Sequence, residues 1–234
     1  MAGGRGTRLS PFTKVINKHL LPVGKYPMIY WPLLRLQEAK VTNVCIVTSE
    51  ESIPAMKEMI EALPLEKLSC RFVPQAEPLG IADGILQAEP FVKNDKIVVL
   101  LGDNVFTDSL HQAVEQFIQS GEGAKVFVKE VSDPERYGVV EIDDRGNVLN
   151  IEEKPLKPKT NLCATGIYLY DNKVFDYIRR LSFSTRGEME VTDLNRQYLE
   201  EGKLTVQRLE SFWIDAGTIA SLNKANSYMF NPSE

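Results

Sequence analysis

The sequence predicts an α/β protein of the Rossmann-like type, in which a mixed, mainly parallel sheet is flanked by helices. Apolar segments of strand length alternate with amphipathic helical segments in the first half of the chain, which is typical of a parallel sheet covered on both sides. Lys96–Leu101 illustrates this, because no polar residue follows its lysine. After about residue 124 short strands follow one another closely, which makes the sheet mixed.

The first half contains three predicted strands with a helix after each. The strands are Asn43–Thr48, Cys70–Pro74 and Lys96–Leu101. The helices are Ser52–Leu63, Gly80–Glu89 and Leu110–Gln119.

The second half adds further strands and three helices. The predicted strands are Ala124–Val131, Gly138–Ile142, Val148–Glu153, Ala164–Tyr170 and Leu204–Leu209. The predicted helices are Lys173–Leu181, Val191–Glu201 and Thr218–Tyr228. No linker, repeat or low-complexity segment is present, which predicts a single domain over residues 1–234 with halves of about 1–123 and 124–234.

The composition limits the classes of partner. Of the 234 residues, 43% are hydrophobic and 25% are charged, and the formal net charge is −5. Without a basic run, this balance argues against a nucleic-acid or anionic-membrane partner. No apolar run reaches the roughly 18 residues of a membrane span. Three scattered cysteines and two histidines argue against a zinc site and predict free thiols in a reducing cytoplasm.

A glycine-rich loop opens the chain, in the run Ala2-Gly3-Gly4-Arg5-Gly6-Thr7-Arg8-Leu9. Glycine permits positive φ and close backbone approach, so such a loop can aim successive N–H groups at phosphate oxygens. It matches neither the Walker pattern nor the dinucleotide fingerprint. Alone, it predicts a phosphate-binding loop no better than a flexible N-terminal segment.

Two aspartates follow predicted strands. Asp103 comes just after Lys96–Leu101, and ligands of open parallel sheets bind outside the carboxyl ends of the strands. An aspartate in that place can equally cap a helix. Asp215 stands in a second turn of this kind, and two carboxylates from distant segments suit one Mg²⁺ ion.

The opening loop, with Lys18-His19-Leu20-Leu21-Pro22 after it, resembles the signature of sugar nucleotidyltransferases, most closely the glucose-1-phosphate thymidylyltransferases. The resemblance continues along nearly the whole chain, and the order and spacing of the motifs make it specific. The motifs are Val73-Pro74-Gln75, Leu79-Gly80-Ile81-Ala82, Leu101-Gly102-Asp103-Asn104, Asp133-Pro134-Glu135-Arg136-Tyr137-Gly138, Glu152-Glu153-Lys154-Pro155, Thr165-Gly166-Ile167-Tyr168, Arg186-Gly187-Glu188 and Ile214-Asp215-Ala216-Gly217-Thr218.

The resemblance implies that a sugar phosphate attacks the α-phosphorus of a nucleoside triphosphate in line and releases pyrophosphate. It implies dTTP and glucose 1-phosphate as substrates and Mg²⁺ as the cofactor, held by Asp103 and Asp215. The nucleophile is already an anion, so that no general base is needed. Cations must instead hold two polyanions together.

The resemblance also assigns the remaining site residues. Arg8, Lys18 and Lys154 are the predicted catalytic cations. The predicted nucleotide-binding residues are Gly3, Gly4, Gly6, Thr7, Gln75 and Gly80, of which the last two would read the pyrimidine base. The sugar-phosphate residues, in an implied sugar-binding insertion, are Gly138, Glu153, Lys154, Thr165 and Arg186.

The sequence departs from the family at its beginning. Members normally carry a short apolar strand before the glycine loop, whereas Met1 stands where that strand should end. We expect either that the start lies a few residues too late or that the chain is a fragment or an unusual variant. An inactive nucleotide-sugar-binding homologue therefore stays an alternative. So does a UTP-dependent uridylyltransferase, because one methyl group in a pocket discriminates by only about 1–3 kcal/mol. A cytoplasmic homo-oligomer is implied.

Overall fold

The computed structural model describes residues 1–92, 95–121 and 123–230. The strands are β1 (Pro22–Val23), β2 (Tyr26–Pro27), β3 (Asn43–Thr48), β4 (Ser69–Pro74), β5 (Ile97–Leu100), β6 (Asn104–Phe106), β7 (Ala124–Glu130), β8 (Gly138–Ile142), β9 (Val148–Glu153), β10 (Leu162–Tyr170), β11 (Leu204–Arg208) and β12 (Trp213–Asp215). The helices are α1 (Tyr30–Glu38), α2 (Ile53–Glu61), α3 (Ile81–Gln87), α4 (Glu89–Val92), α5 (His111–Gln119), α6 (Val174–Ile178), α7 (Val191–Glu200) and α8 (Ile219–Phe230).

The α/β class predicted from the sequence is confirmed by these elements. Each long predicted strand and helix occurs, with ends displaced by a few residues. The predicted helix Gly80–Glu89 is shorter than expected, because α3 ends at Gln87 and α4 begins at Glu89.

The chain divides into two compact units by its internal contacts. Unit 1 comprises Met1–Pro78, Leu101–Ala113 and Ser211–Glu234, and unit 2 comprises Leu79–Leu100 and Val114–Glu210. The predicted halves 1–123 and 124–234 concern substrate binding and stay a prediction.

Unit 1 contains the strand pairs β3–β4, which is parallel, and β12–β6, which is antiparallel. Its first residues form backbone hydrogen bonds with β3 and with the segment before β6. The Ala2 N–H donates to the Val47 carbonyl at 2.7 Å, and the Gly102 N–H donates to the Met1 carbonyl at 2.8 Å. Apolar residues of β1, β6 and α8 pack together in this unit, in a cluster formed by Val23, Met28, Val105, Ala216 and Ala225. The residues before the glycine loop therefore have backbone partners on two sides.

Unit 2 contains a six-stranded sheet in the order β11-β7-β10-β8-β9, with β5 paired to β10 as well. In this sheet β11–β7 is the parallel pair, and the other pairings of its described strands are antiparallel. The mixed sheet is confirmed, but the prediction that it is mainly parallel is wrong for these strands. Apolar runs reveal that a strand is buried, whereas its direction depends on pairings between distant segments.

Helices of the described residues are short. None of them has both the length and the apolar character that a membrane span requires.

Candidate active site

The glycine loop in unit 1 contains a position that requires glycine. Gly6 has a φ of 63°, in the left-handed region, and precedes the 3-10 helix Thr7–Leu9. A Cβ atom on Gly6 would lie 2.9 Å from Thr13 Cγ2 and 3.0 Å from Lys18 Cβ. The Thr13 hydroxyl also donates to the Gly6 carbonyl at 2.8 Å. The loop is therefore folded closely over Lys18 and is not a loose N-terminal segment.

Lys18 lies below the loop and is paired with Asp103. Its ammonium group is 3.5 Å from the place that a Cβ on Gly4 would occupy, and it forms an ion pair with Asp103 Oδ2. The Lys18 and Asp103 side chains are 11% and 12% exposed, respectively. Asp103 accepts a further hydrogen bond from the Asn104 amide at 3.2 Å. The carboxylate is thus held by one cation and one neutral donor.

Asp215 lies beside Asp103 because of the β6–β12 pairing. Asp215, the last residue of β12, is the register partner of Asn104, and the Ala216 N–H donates to the Asp103 carbonyl at 2.9 Å. The guanidinium of Arg8 approaches Asp215 Oδ2 at 3.7 Å, and its side chain is 55% exposed. Four predicted residues from three distant segments therefore meet in unit 1.

The two aspartates have opposite pKa shifts. Burial favours the protonated form of both. For Asp103, burial alone would raise the pKa, but the charges of Lys18 and His19 and the hydrogen bonds from Lys18 and Asn104 together outweigh it and hold the pKa well below its usual range. For Asp215, burial raises the pKa and the negative charge of Asp103 raises it further, against the smaller effects of Arg8 and Lys18.

These carboxylates fit a magnesium ion. In residues 1–92, 95–121 and 123–230, no group of three or more His, Cys, Asp or Glu residues could hold a metal ion. Mg²⁺ does not need such a group, since it commonly takes one or two carboxylates and completes its octahedron with water and substrate phosphates. Burial and then repulsion from Asp103 raise the pKa of Asp215, so that Arg8 and Lys18 neutralise the carboxylate pair incompletely. A shared divalent cation would remove that repulsion.

Asn17 is a residue of this region to which the motifs assigned no role. Its Oδ1 accepts from the His19 N–H at 3.0 Å and lies 2.7 Å from His19 Nδ1. Its amide donates to the Ala2 carbonyl at 3.3 Å and to the Ser52 hydroxyl at 3.1 Å. Asn17 thus fixes the start of the glycine loop and the segment that carries Lys18. Its place directly before Lys18 is the only sequence signal for it.

Gln75 lies against the glycine loop within unit 1. It is 7% exposed, and its N–H donates to the Thr48 carbonyl at 2.8 Å. A Cβ on Gly3 would be 2.5 Å from Gln75 Oε1. The side-chain amide is therefore placed beside the loop, although its role in reading a base stays a prediction.

Glu153 is the centre of a polar cluster in unit 2, at the end of β9. Its Oε2 accepts from the Thr192 hydroxyl at 2.5 Å. Its Oε1 lies 3.3 Å from Lys154 Nζ and accepts from Arg186 Nη2 at 3.2 Å. Gly138 is its register partner in β8, and a Cβ there would be 3.1 Å from Thr192 Oγ1. Four predicted sugar-phosphate residues are thus brought together, and Thr192 is an addition that the motifs did not identify.

Thr165 is engaged differently from the other predicted sugar-phosphate residues. Its side chain is buried, and its hydroxyl donates to the Phe127 carbonyl at 2.9 Å, which links β10 to β7. The hydroxyl therefore stabilises the pairing of two strands, and the contact of Thr165 with a sugar stays a prediction.

Glu190 holds Arg186 and was also missed. Its carboxylate accepts from Arg186 Nε at 3.1 Å and from Nη2 at 2.8 Å. The Ser184 hydroxyl donates to the same carboxylate at 2.7 Å. Burial alone would lower the pKa of Arg186, but Glu190 and then Glu153 raise it, so that the guanidinium stays charged. Arg186 and Glu190 lie in the turn before α7 and not on a helix, so the spacing between them gives no sequence signal for this pair.

Gly80 contacts the segment that precedes α7. It has a φ of 110° at the start of α3, and a Cβ there would collide with the Met189 carbonyl oxygen. The Met189 N–H donates to the Leu79 carbonyl at 2.7 Å, and the Ala82 N–H donates to the Met189 carbonyl at 3.3 Å. Only glycine permits both this φ and this close approach.

The chain is similar to known proteins along nearly its whole length. A family model described as nucleotidyl transferase matches residues 1–231. The glucose-1-phosphate thymidylyltransferase of Neisseria meningitidis is 40% identical over 232 residues, which are 98% of this chain and 81% of that protein. The enzyme of that name from Xanthomonas campestris is 40% identical over 236 residues, which are 98% of this chain and 79% of that protein.

Two solved structures are also similar to this chain. A Bacillus anthracis structure in complex with sucrose, assigned as a glucose-1-phosphate thymidylyltransferase, superposes with a TM-score of 0.93 and 45% identity, covering 98% of this chain and 93% of that one. A UDP-glucose pyrophosphorylase complexed with UDP-glucose has a TM-score of 0.87 at 23% identity, covering 99% of this chain and 97% of that one, and shows a shared fold alone. The family resemblance that the sequence motifs indicated is thereby confirmed, and the chain belongs to the nucleotidyl transferase family of enzymes.

Proposed function

We propose that this protein transfers the thymidylyl group of dTTP to glucose 1-phosphate, giving dTDP-glucose and pyrophosphate. The observation that carries the proposal is the cluster of Arg8, Lys18, Asp103 and Asp215 beside the glycine loop. Such a cluster suits a triphosphate with a divalent ion, and relatives about 40% identical along nearly the whole chain carry the name of this activity.

Unit 1 supplies the groups that bind the nucleotide in this proposal. The backbone N–H groups of the glycine loop and the exposed guanidinium of Arg8 bind phosphate oxygens. Lys18 holds Asp103 in its ionised form and adds positive charge below the loop. Gln75 would donate and accept hydrogen bonds at the edge of the base.

Asp103 and Asp215 would hold Mg²⁺. When bound, this ion neutralises charge on the phosphate oxygens and helps to orient them. The carboxylates themselves repel any phosphate that approaches without a cation, so that nucleotide affinity should depend on the divalent ion.

Unit 2 supplies the groups for the sugar phosphate. Lys154 and Arg186 present positive charge to the phosphate, and Glu153 accepts hydrogen bonds from sugar hydroxyls. In the proposed reaction a phosphate oxygen of the sugar forms a bond to the α-phosphorus of dTTP. The bond from that phosphorus to the β-bridging oxygen breaks, and pyrophosphate leaves. The chain's own residues act by holding and neutralising the two anions.

A pyrophosphate-release assay tests the proposal, with glucose 1-phosphate and either dTTP or UTP at equal concentration and with Mg²⁺. We expect release that requires the sugar phosphate and is faster with dTTP. Asp103→Asn should lose at least about 100-fold of the rate, whereas Asp144→Asn, at an exposed hairpin turn, should leave it unchanged. Faster reaction with UTP would support a uridylyltransferase instead, and no release with either nucleotide would support an inactive homologue.

A further inference from the structure

Two carboxylates, those of Glu153 and Glu190, accept hydrogen bonds from the guanidinium of Arg186, and their surroundings differ. A third, that of Glu188, lies 3.9 Å from it. The Glu153 and Glu190 side chains are 26% and 9% exposed, respectively, whereas that of Arg186 is 39% exposed. Glu153 is shared among Arg186, Lys154 and Thr192. Glu190 directs both of its oxygens toward the same guanidinium. The guanidinium thus has one buried counter-ion and an open face.

The segment around Glu190 is fixed by its own hydrogen bonds. The Ser184 hydroxyl donates to Glu190 Oε1 at 2.7 Å and accepts from the Arg186 N–H at 3.2 Å. The Ser184 N–H donates to the Glu188 carbonyl at 2.9 Å, and the Gly187 N–H donates to the Ser184 carbonyl at 2.9 Å. Residues 184–190 therefore form a closed turn in which the Arg186 side chain folds back onto Glu190.

The backbone on either side of Glu190 is also anchored. Met189 makes two backbone hydrogen bonds, to Leu79 and from Ala82. On the other side, the Leu194 N–H donates to the Glu190 carbonyl at 3.2 Å in the first turn of α7. The carboxylate thus projects from a position that the fold holds at both ends. An arginine bound in this way loses little further freedom when it binds an anion.

We propose that Glu190 is a positioning residue, which holds the Arg186 guanidinium so that its open face binds the phosphate of the sugar substrate. Glu190 does this through Arg186 and makes no contact with the substrate itself, because its oxygens are buried and already accept three hydrogen bonds. Glu153 is the exchangeable partner, which leaves Arg186 when the phosphate binds. This inference rests on the proposed function of Arg186 as a sugar-phosphate ligand.

Calorimetry of glucose 1-phosphate binding to the full chain tests the inference. We expect Glu190→Gln to raise the Kd for glucose 1-phosphate about tenfold, since it weakens a charge-assisted bidentate contact. The KM for glucose 1-phosphate should rise by a similar factor, while the KM for dTTP changes less than about twofold. Glu188→Gln is the matched control, because Glu188 lies 3.9 Å from the same guanidinium with a side chain 43% exposed. It should change neither constant by more than about twofold.

A double-mutant cycle separates positioning from a general structural role. In an Arg186→Ala background, Glu190→Gln should add less than about twofold, because the residue through which it acts is gone. Ser184→Ala, which removes one hydrogen bond to Glu190, should raise the Kd by about two- to threefold and keeps the test open if Glu190→Gln does not fold. The inference, but not the proposed function, would be overturned if Glu190→Gln bound glucose 1-phosphate with wild-type affinity. It would also be overturned if Glu190→Gln raised the Kd by the same factor in the Arg186→Ala background as in the wild-type chain. No binding of glucose 1-phosphate by the wild-type chain would overturn the proposed function as well.

Discussion

Lys18 and Asp103 form an ion pair in which neither side chain is more than 12% exposed. The pair lies next to Gly4 of the glycine loop and close to Asp215 at the end of β12. A buried charge that loses its partner is strongly destabilising. The same residues that are proposed to bind substrate and metal therefore also carry part of the stability of unit 1.

We expect Asp103→Asn to lower the free energy of unfolding by about 3 kcal/mol at neutral pH, because Lys18 is left without a counter-ion. The pKa of Asp103 is lowered in the folded protein, so its stabilising contribution is present at neutral pH and is lost as the pH falls through that low value. Urea unfolding at several pH values measures both effects. The variant should lose less stability than wild type on acidification, and an identical acid dependence would contradict the assignment.

We expect Asp215→Asn to have the opposite effect on stability. The pKa of Asp215 is raised, so the ionised form is disfavoured by folding and costs stability at pH values above that pKa. In metal-free buffer near neutral pH the variant should therefore unfold at a higher temperature than wild type. Its nucleotidyl transfer should fall about 100-fold or more. Thermal unfolding with and without Mg²⁺ is the measurement, and a lower Tm without the ion would be inconsistent with the raised pKa.

Substitution of Arg8 should reduce the activity without changing the stability of the fold. Its side chain is 55% exposed, and its distance to Asp215 Oδ2 of 3.7 Å is long for an ion pair. We expect Arg8→Ala to reduce kcat/KM for dTTP about 100-fold, while Tm stays within about 2 °C of wild type. A large fall in Tm would mean that Arg8 has a structural role in addition to a place beside the nucleotide.

We expect Gly80→Ala to weaken binding of both proposed substrates. Gly80 has a φ of 110°, and a methyl group there would collide with the Met189 carbonyl oxygen. Either α3 or the Arg186–Glu190 segment would therefore have to move. Gly202→Ala is the matched control, because Gly202 also has a positive φ, of 67°, and a Cβ there would meet nothing within 4 Å. Gly202→Ala should cost about 1 kcal/mol of stability. Gly80→Ala should cost more, because its methyl group also collides with the Met189 backbone, and only this variant should raise the KM values. Equal effects would show that backbone strain alone is responsible.

The strands were predictable where the chain itself carries the signal. The apolar run of β5 and the turn before β9 define those strands without any tertiary information. The partners of β10 were not predictable, because β5, β7 and β8 come from separate parts of the chain. Strands β6 and β12 have three residues each and leave no periodicity to detect.

The candidate site shows the same limit. Asp103, Asp215 and Arg186 were identified because each lies in a motif with a recognisable spacing. Asn17 and Glu190 were not, since each acts by holding a neighbour and its role appears only when the hydrogen bonds are known. Sequence motifs therefore indicate the groups that would contact substrates better than the groups that orient them.

The link between Leu79, Ala82 and Met189 is made by main-chain atoms alone. Natural variation can consequently alter the side chain at position 189 with little effect on the connection, whereas position 80 cannot depart from glycine. In a library randomised at both codons and selected for activity, many amino acids should survive at 189 and one at 80. The side chain at 189 can therefore be varied by mutagenesis without loss of the main-chain link that joins α3 to the Arg186–Glu190 segment.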